Sequence, residues 1–231
     1  MRYLADREWL FLHVPKVAGC TIEKWLDDMS PKPIKLPHRW NTGRGNYGRL
    51  PGRHVLKEHF ANMFPDIPIA VTVMFVRHPV TWWISTWRHL WDVRRRRERR
   101  GSDLWGSYRQ YSWHPHKPMA LYLTEDFEEF VRTFLSQHPG YLSDIYNQYF
   151  IGADIIGRLE TLRTDFELLF GNSFEDVRNN PSREPKPEVS QELETWICQQ
   201  EAAAVSQFYS IETVNYRRKK DWNGYGQKNT K

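Results

Sequence analysis

The chain has 231 residues and a mass of 27.8 kDa, enough for one domain with a sizeable core. With 26% charged residues and a mean hydropathy of −0.71 it reads as a soluble protein, and no apolar run approaches the roughly 18 residues of a membrane span. A formal charge of +5 and a pI of about 9.2 point to an anionic partner without naming it.

The first residues, MRYLADREWLFLHV, lack the long apolar core of a secretory signal, and Cys20 and Cys198 lie too far apart for a disulfide framework, so a reducing, cytoplasmic setting is expected. Within that segment, WLFLHV at 9–14 reads as a short buried strand. Residues 30–53 are rich in Pro, Gly, Arg and Asn and read as a long loop. IAVTVMFV at 69–76 is the clearest strand, apolar and β-branched. Pro79 then opens a helix through VTWWISTWRHLWDVRRRR, and 101–118 is again a loop. TEDFEEFVRTFLSQ at 124–137 carries an N-cap signal at Thr124 and apolar spacing at Phe127, Phe130, Val131 and Phe134, so it predicts a helix. IGADIIGRLE at 151–160 reads as a strand followed by a helix at TLRTDFELLF, 178–188 as a Pro-rich loop, and about 190–208 as a last helix. There is no internal repeat. Strands alternating with helices predict a single α/β domain over 1–231, with a central parallel sheet flanked by helices.

Two stretches carry the chemistry. In HVPKVAGCT the chain leaves the first strand through Lys16, Ala18 and Gly19 and enters a helix at Cys20 and Thr21. In a parallel sheet this turn lies at the carboxyl edge, where ligands bind. The free N–H groups of a helix start attract anions, small residues admit a ligand close to the backbone, and Lys16 adds a full charge. The ordinary nucleoside triphosphate loop reads GxxxxGK[ST]; here the lysine comes first and there is no GK pair, which disfavours a standard ATPase or GTPase. In the second stretch, VTVMFVRHPVTWWISTW, a strand ends in Arg77 and the following helix supplies Ser85. A guanidinium fork and a hydroxyl can converge on one phosphate.

Together, HVPKVAGCT and FVRHPVTWWIS resemble the paired signatures of sulfotransferases that use 3′-phosphoadenosine 5′-phosphosulfate (PAPS), and look most like the branch that includes carbohydrate sulfotransferases. Ala18 stands where that pattern usually has glycine, Cys20-Thr21 where it has Thr-Ser, and Trp83 where arginine is common. GRLETLRTDFELL at 157–169 and DWNGYG at 221–226 are similar to later parts of the same family, which extends the likeness over most of the chain. The resemblance implies a P-loop-like turn in which Lys16, Ala18, Gly19, Cys20 and Thr21 hold the 5′-phosphosulfate, with Arg77 and Ser85 on the 3′-phosphate. It implies PAPS as donor, adenosine 3′,5′-bisphosphate (PAP) as product, and no metal. It also implies Arg183 or Lys186, in NPSREPKP, closing over the 3′-phosphate.

Sulfuryl transfer demands what phosphoryl transfer demands: positioning, charge stabilisation on the leaving oxygen, and a base for the acceptor hydroxyl. Lys16 is the candidate for the leaving-group charge. Histidine suits the base because its pKa lies near neutrality. His54, between the two signatures, is the first choice, His59 the reserve, with Lys57 and Glu58 as neighbours. His13, at a strand end, reads as packing, and His114 and His116 as solvated loop rather than metal ligands. Tryptophans 83, 87 and 91 repeat at helical spacing and read as core, whereas Trp105 and Trp113, in a polar loop, are candidates for stacking on sugars. RRRRERR at 94–100 is either a solvated helix end or a landing place for an anionic acceptor. The expected acceptor is a hydroxyl, on a glycan before any other class. The alternatives are a nucleotide-dependent phosphotransferase (kinase), which would need a magnesium site the sequence does not display, and a basic nucleic-acid-binding protein, which leaves both phosphate signatures unexplained.

Overall fold

Four residues separate the first two strands, too few for a crossover, so the chain must turn back on itself at its start. In the computed structural model, which describes residues 1–29, 33–35, 54, 56–101, 116–171 and 185–210, β1 (Arg2–Leu4) pairs antiparallel with β2 (Trp9–Phe11), Arg2 opposite Phe11. β3 (Ile34–Lys35) pairs antiparallel with β1 on the outside. On the other side β4 (Val71–Val76) and β5 (Ile155–Arg158) run parallel to β2, giving the order β3-β1-β2-β4-β5. The expectation of a parallel sheet therefore holds for β2, β4 and β5 and is corrected at the β1–β3 edge. Those two strands span three and two residues, too short to show a period of two.

The parallel strands are the apolar runs expected of a sheet covered on both faces. From Thr72 to Val76 every residue of β4 is buried. Gly157 of β5 permits a close approach, since a Cβ there would stand 2.4 Å from the Phe75 ring. Around the sheet lie α1 (Gly19–Asp27), α2 (Lys57–Met63), α3 (Pro79–Glu98), α4 (His116–Ala120), α5 (Phe127–Gln137), α6 (Tyr141–Phe150), α7 (Leu162–Phe170), α8 (Gln191–Gln200) and α9 (Ala202–Phe208). None of these helices is long and apolar enough to cross a membrane. The N-cap of α5 is Asp126, whose carboxylate accepts from the Glu129 amide at 2.7 Å, and not Thr124 as expected; the Thr124 hydroxyl instead donates to the Asp126 carbonyl. The α6 helix has no counterpart in the sequence reading. Residues 36–53, 102–115, 172–184 and 211–231 lie outside the described residues, and with them Trp105, Trp113, His114, Arg183 and the DWNGYG stretch.

The tryptophan stripe on α3 is core, as its spacing predicts. Trp82, Trp83, Trp87 and Trp91 are all buried, and each indole N–H finds an acceptor: Pro15 carbonyl for Trp82, Glu201 for Trp83, and the Thr124 carbonyl for both Trp87 and Trp91. The expected helix over 190–208 is two helices, because Glu201 breaks it to serve α6. Its carboxylate, fully buried, accepts from the amides of Leu142 and Ser143 (both 3.0 Å), from the Ser143 hydroxyl (2.9 Å) and from Trp83 (3.3 Å). A negative charge at a helix start is favoured by the helix dipole. Burial nonetheless outweighs these bonds and pushes the Glu201 carboxyl above its ordinary pKa. Because all four partners are donors, Glu201→Gln must turn an amide NH2 against them. It should lower the unfolding free energy by about 2 kcal/mol in chemical denaturation, and an unchanged midpoint would contradict this account.

Candidate functional site

The turn between β2 and α1 is held open by unusual backbone. Lys16 and Ala18 both lie in the left-handed region (φ 65° and 57°), with Val17 between them outside it. Each such non-glycine residue costs about 1–2 kcal/mol, and strain of this kind collects at sites that use it. Backbone that alternates between the two regions is of the kind that can gather successive N–H groups around an anion. Ala18 ends the turn as the N-cap of α1, with no side-chain cap. Its carbonyl accepts from the amides of Thr21 and Ile22, while the amides of Val17, Ala18 and Gly19 donate to no group among the described residues. Gly19 is required by packing: a Cβ there would stand 2.2 Å from the His13 ring.

Beneath the turn, His13 and Glu23 form a buried polar base. Glu23 Oε1 lies 3.0 Å from His13 Nδ1, 3.1 Å from Arg2 and 2.5 Å from the amino group of Met1. Burial alone would raise the Glu23 carboxyl, but the His13 hydrogen bond and the Met1 charge outweigh it and hold the carboxyl well below the usual carboxylate range. His13 thus packs, as expected of it, and shapes the turn from below. Its carbonyl, in turn, takes the Nδ1–H of His54 at 2.9 Å, and the two rings meet edge to face at 4.7 Å. A carbonyl can only accept, so the proton of neutral His54 sits on Nδ1 and Nε2 is its basic nitrogen. The Tyr149 hydroxyl donates to the His54 carbonyl at 3.0 Å and fixes the backbone there.

The two sequence signatures meet at Arg77. Its Nη1 donates to the Lys16 carbonyl at 3.3 Å and its Nε to Thr81 Oγ1 at 3.1 Å. The backbone of Arg77 is clamped by one side chain, Tyr146, whose hydroxyl accepts from the Arg77 amide (2.9 Å) and donates to the Arg77 carbonyl (2.7 Å). Neither Lys16 nor Arg77 forms an ion pair among the described residues. Burial, with the Arg77 charge adding to it, lowers the Lys16 ammonium from 10.5 to about 8, and burial lowers Arg77 as well. Arg88 and Asp92, further along α3, act electrostatically on Lys16. Two half-buried cations without a carboxylate between them, beside three undonated amides, make a place for an anion.

Ser85 lies one turn past Thr81 on the same side of α3, half-buried, its hydroxyl making no hydrogen bond among the described residues. Cys20, half-buried and in no disulfide, lies at the start of α1, and Thr21 is buried beside it. The other predicted residues are not drawn in. His59 sits on α2 with Nδ1 3.9 Å from Glu58, and Lys57 reaches Asp154 at 3.7 Å. Lys186 is exposed ahead of α8 and makes no hydrogen bond or ion pair there. Among the described residues no group of three His, Cys, Asp or Glu is gathered as for a metal ion. Thr81, Arg88, Tyr146, Glu23 and the positioning role of His13 went unread in the sequence. Thr81 had a signal, a hydroxyl four residues past an arginine that precedes a helix; Tyr146, 69 residues away from Arg77, had none. No protein-family model, curated protein or solved structure matches the chain.

This geometry sets both the stability of variants at the turn and the pH dependence of the site. Ala18→Gly removes a left-handed penalty and should raise the unfolding free energy by about 1 kcal/mol, whereas Gly19→Ala must displace the His13 ring and should lower it by about 2 kcal/mol; both are read by chemical denaturation. Lys16, charged below about pH 8, loses its proton above it. Phosphate affinity at this site should therefore fall as pH rises through 8, while the contribution of Lys16 to folding stability rises between 8 and 10.5, where only the unfolded chain still holds the proton. Calorimetric titration of phosphate across pH 7–10 reads the first, and a flat profile would contradict it.

Proposed function

We propose that the chain is a sulfotransferase that moves the sulfuryl group of PAPS to an acceptor hydroxyl on a glycan. What carries this reading is the meeting of Arg77 with the Lys16 carbonyl, because it joins two signatures about sixty residues apart at one unpaired cationic corner. A single phosphate needs only one of these segments. A nucleotide with phosphates at both ends of its ribose accounts for both.

In this reading the Val17, Ala18 and Gly19 amides and the Lys16 ammonium receive the 5′-phosphosulfate, and Arg77 with Thr81 and Ser85 receives the 3′-phosphate. Lys16 neutralises charge on the bridging oxygen as the sulfur–oxygen bond breaks, and its closeness to Arg77 keeps it responsive to that charge. His54 Nε2 takes the proton of the acceptor hydroxyl, with Nδ1 anchored on the His13 carbonyl holding the ring in place. The proton ends on His54, the sulfuryl group on the acceptor oxygen, and the electron pair of the broken bond on the phosphate of PAP. Arg183 is assigned to the 3′-phosphate from its sequence position alone, and Lys186 and His59 stand in reserve. Neither Cys20 nor Cys198 is in a disulfide, in keeping with a cytoplasmic, reducing setting.

The experiment compares PAP with ATP plus magnesium by thermal shift. PAP at 100 times its dissociation constant should stabilise the fold by about 2.7 kcal/mol; stabilisation by ATP–magnesium alone would replace this reading with a kinase. With labelled PAPS and a panel of glycans, Lys16→Ala should lower turnover by about 100- to 1,000-fold. His54→Ala should spare PAP binding and lower turnover by about 100-fold or more. An active His54→Ala enzyme would move the base to another residue.

A further inference from the structure

We propose that the last two turns of α3 are the docking surface for a polyanionic polysaccharide, and that the glycan whose hydroxyl is sulfated is itself already acidic; this rests on the sulfotransferase reading for its catalytic meaning. The charge distribution is the first reason. The run Arg94–Arg100 holds six arginines and one glutamate, so its net charge equals the +5 of the whole chain, and the remaining 27 basic and 27 acidic residues balance. All the excess charge sits in one short stretch. Arg95, Arg96, Arg99 and Arg100 are exposed there, and the single glutamate, Glu98, is occupied by Arg94 at 2.8 Å. Like charges at i and i+4, Arg95 with Arg99 and Arg96 with Arg100, repel and weaken the helix that carries them. A helix end needs one or two cations to answer its dipole, not six.

The second reason is direction. Thr81, Ser85, Arg88, Asp92, Arg95 and Arg99 follow one another at helical spacing, so one side of α3 runs from the group that touches Arg77 to the arginine run. The opposite side, Val80 to Trp91, is buried in the core, and Arg94 is held to the Leu123 carbonyl, so the helix is fixed. From Ser85 to Arg99 the track is about 20 Å long at ~1.5 Å per residue. A linear polyanion lying on it would reach the Lys16–Arg77 corner with one end while the arginines hold the rest. Nucleic acid is the other polyanion, and it is disfavoured by what the run lacks. Among the described residues the aromatic beside it, Trp91, is buried, with the guanidinium carbons of Arg94 and Arg95 standing 4.9 Å and 5.6 Å from its ring, so it offers no stacking face for the bases of a single strand, and duplex DNA is left to the titration below.

The full chain and the variant Arg95→Ala/Arg96→Ala/Arg99→Ala/Arg100→Ala are titrated with heparin, uncharged dextran and duplex DNA at several salt concentrations, and with PAP by thermal shift. The parent should bind heparin and not dextran. The variant should bind heparin on the order of 100-fold more weakly at 150 mM salt, with the slope of log affinity against log salt reduced by about 3. Its PAP shift should equal that of the parent. Undiminished heparin binding by the variant overturns the proposal, and so does duplex DNA binding as tight as heparin in the parent. If the parent ignores PAP yet binds heparin through these arginines, the polyanion surface stands and the sulfotransferase reading falls.

Discussion

The bond from the Arg77 guanidinium to the Lys16 carbonyl, 3.3 Å long, is the joint around which the site is arranged. A guanidinium that donates to a carbonyl has its charge uncompensated by that partner, unlike one paired with a carboxylate, and so remains able to attract an anion. The same bond helps hold Lys16 in the left-handed region, which no lysine adopts without compensation. Around it the chain supplies supports from four separate segments. Trp82 reaches the Pro15 carbonyl from α3, Tyr146 clamps the Arg77 backbone from α6, and His13 fills the space under Gly19 from the end of β2. Glu23 on α1 then fixes His13. Each support is a side chain meeting backbone or another buried group, which places the strained turn on rigid elements.

The electrostatics of the molecule divide into two kinds of charge. Near the amino end, Glu23 and Asp27 answer Arg2 and the His13–Met1 pair, and the charges cancel within a few ångströms. At the β2–α1 turn Lys16 and Arg77 stand close with no ion pair to either among the described residues, and burial and their mutual repulsion both lower the Lys16 ammonium. The cationic corner costs the fold stability where the amino-terminal cluster does not, and this contrast is what the proposed anion site rests on.

How much of this was legible in the residues differs from element to element. β2, β4 and β5 were, because a buried parallel strand is a short apolar run bounded by turn residues, and Lys16 and Arg77 followed from where those strands end. The antiparallel edge was not, since β1 and β3 are too short to carry a pattern. The break at Glu201 escaped too. A glutamate amid helix-forming residues reads as an exposed position, and only the donors of Leu142 and Ser143, about sixty residues earlier, explain why it is buried. Gly19 was read as leaving space for a ligand; the structure assigns that space to the His13 ring. His54 was chosen by its position between the signatures, and its tautomer could come only from a carbonyl 41 residues away.

The carboxylate of Glu201 has a bearing on how the molecule is made. It seats the start of α6, and α6 carries the tyrosine that grips Arg77. During synthesis from the amino end, the strands and both signatures emerge long before residue 201 does. The cationic corner can form early but cannot become rigid until the final helices arrive, so a nascent chain stalled before α8 would carry every residue assigned to catalysis and still hold them loosely.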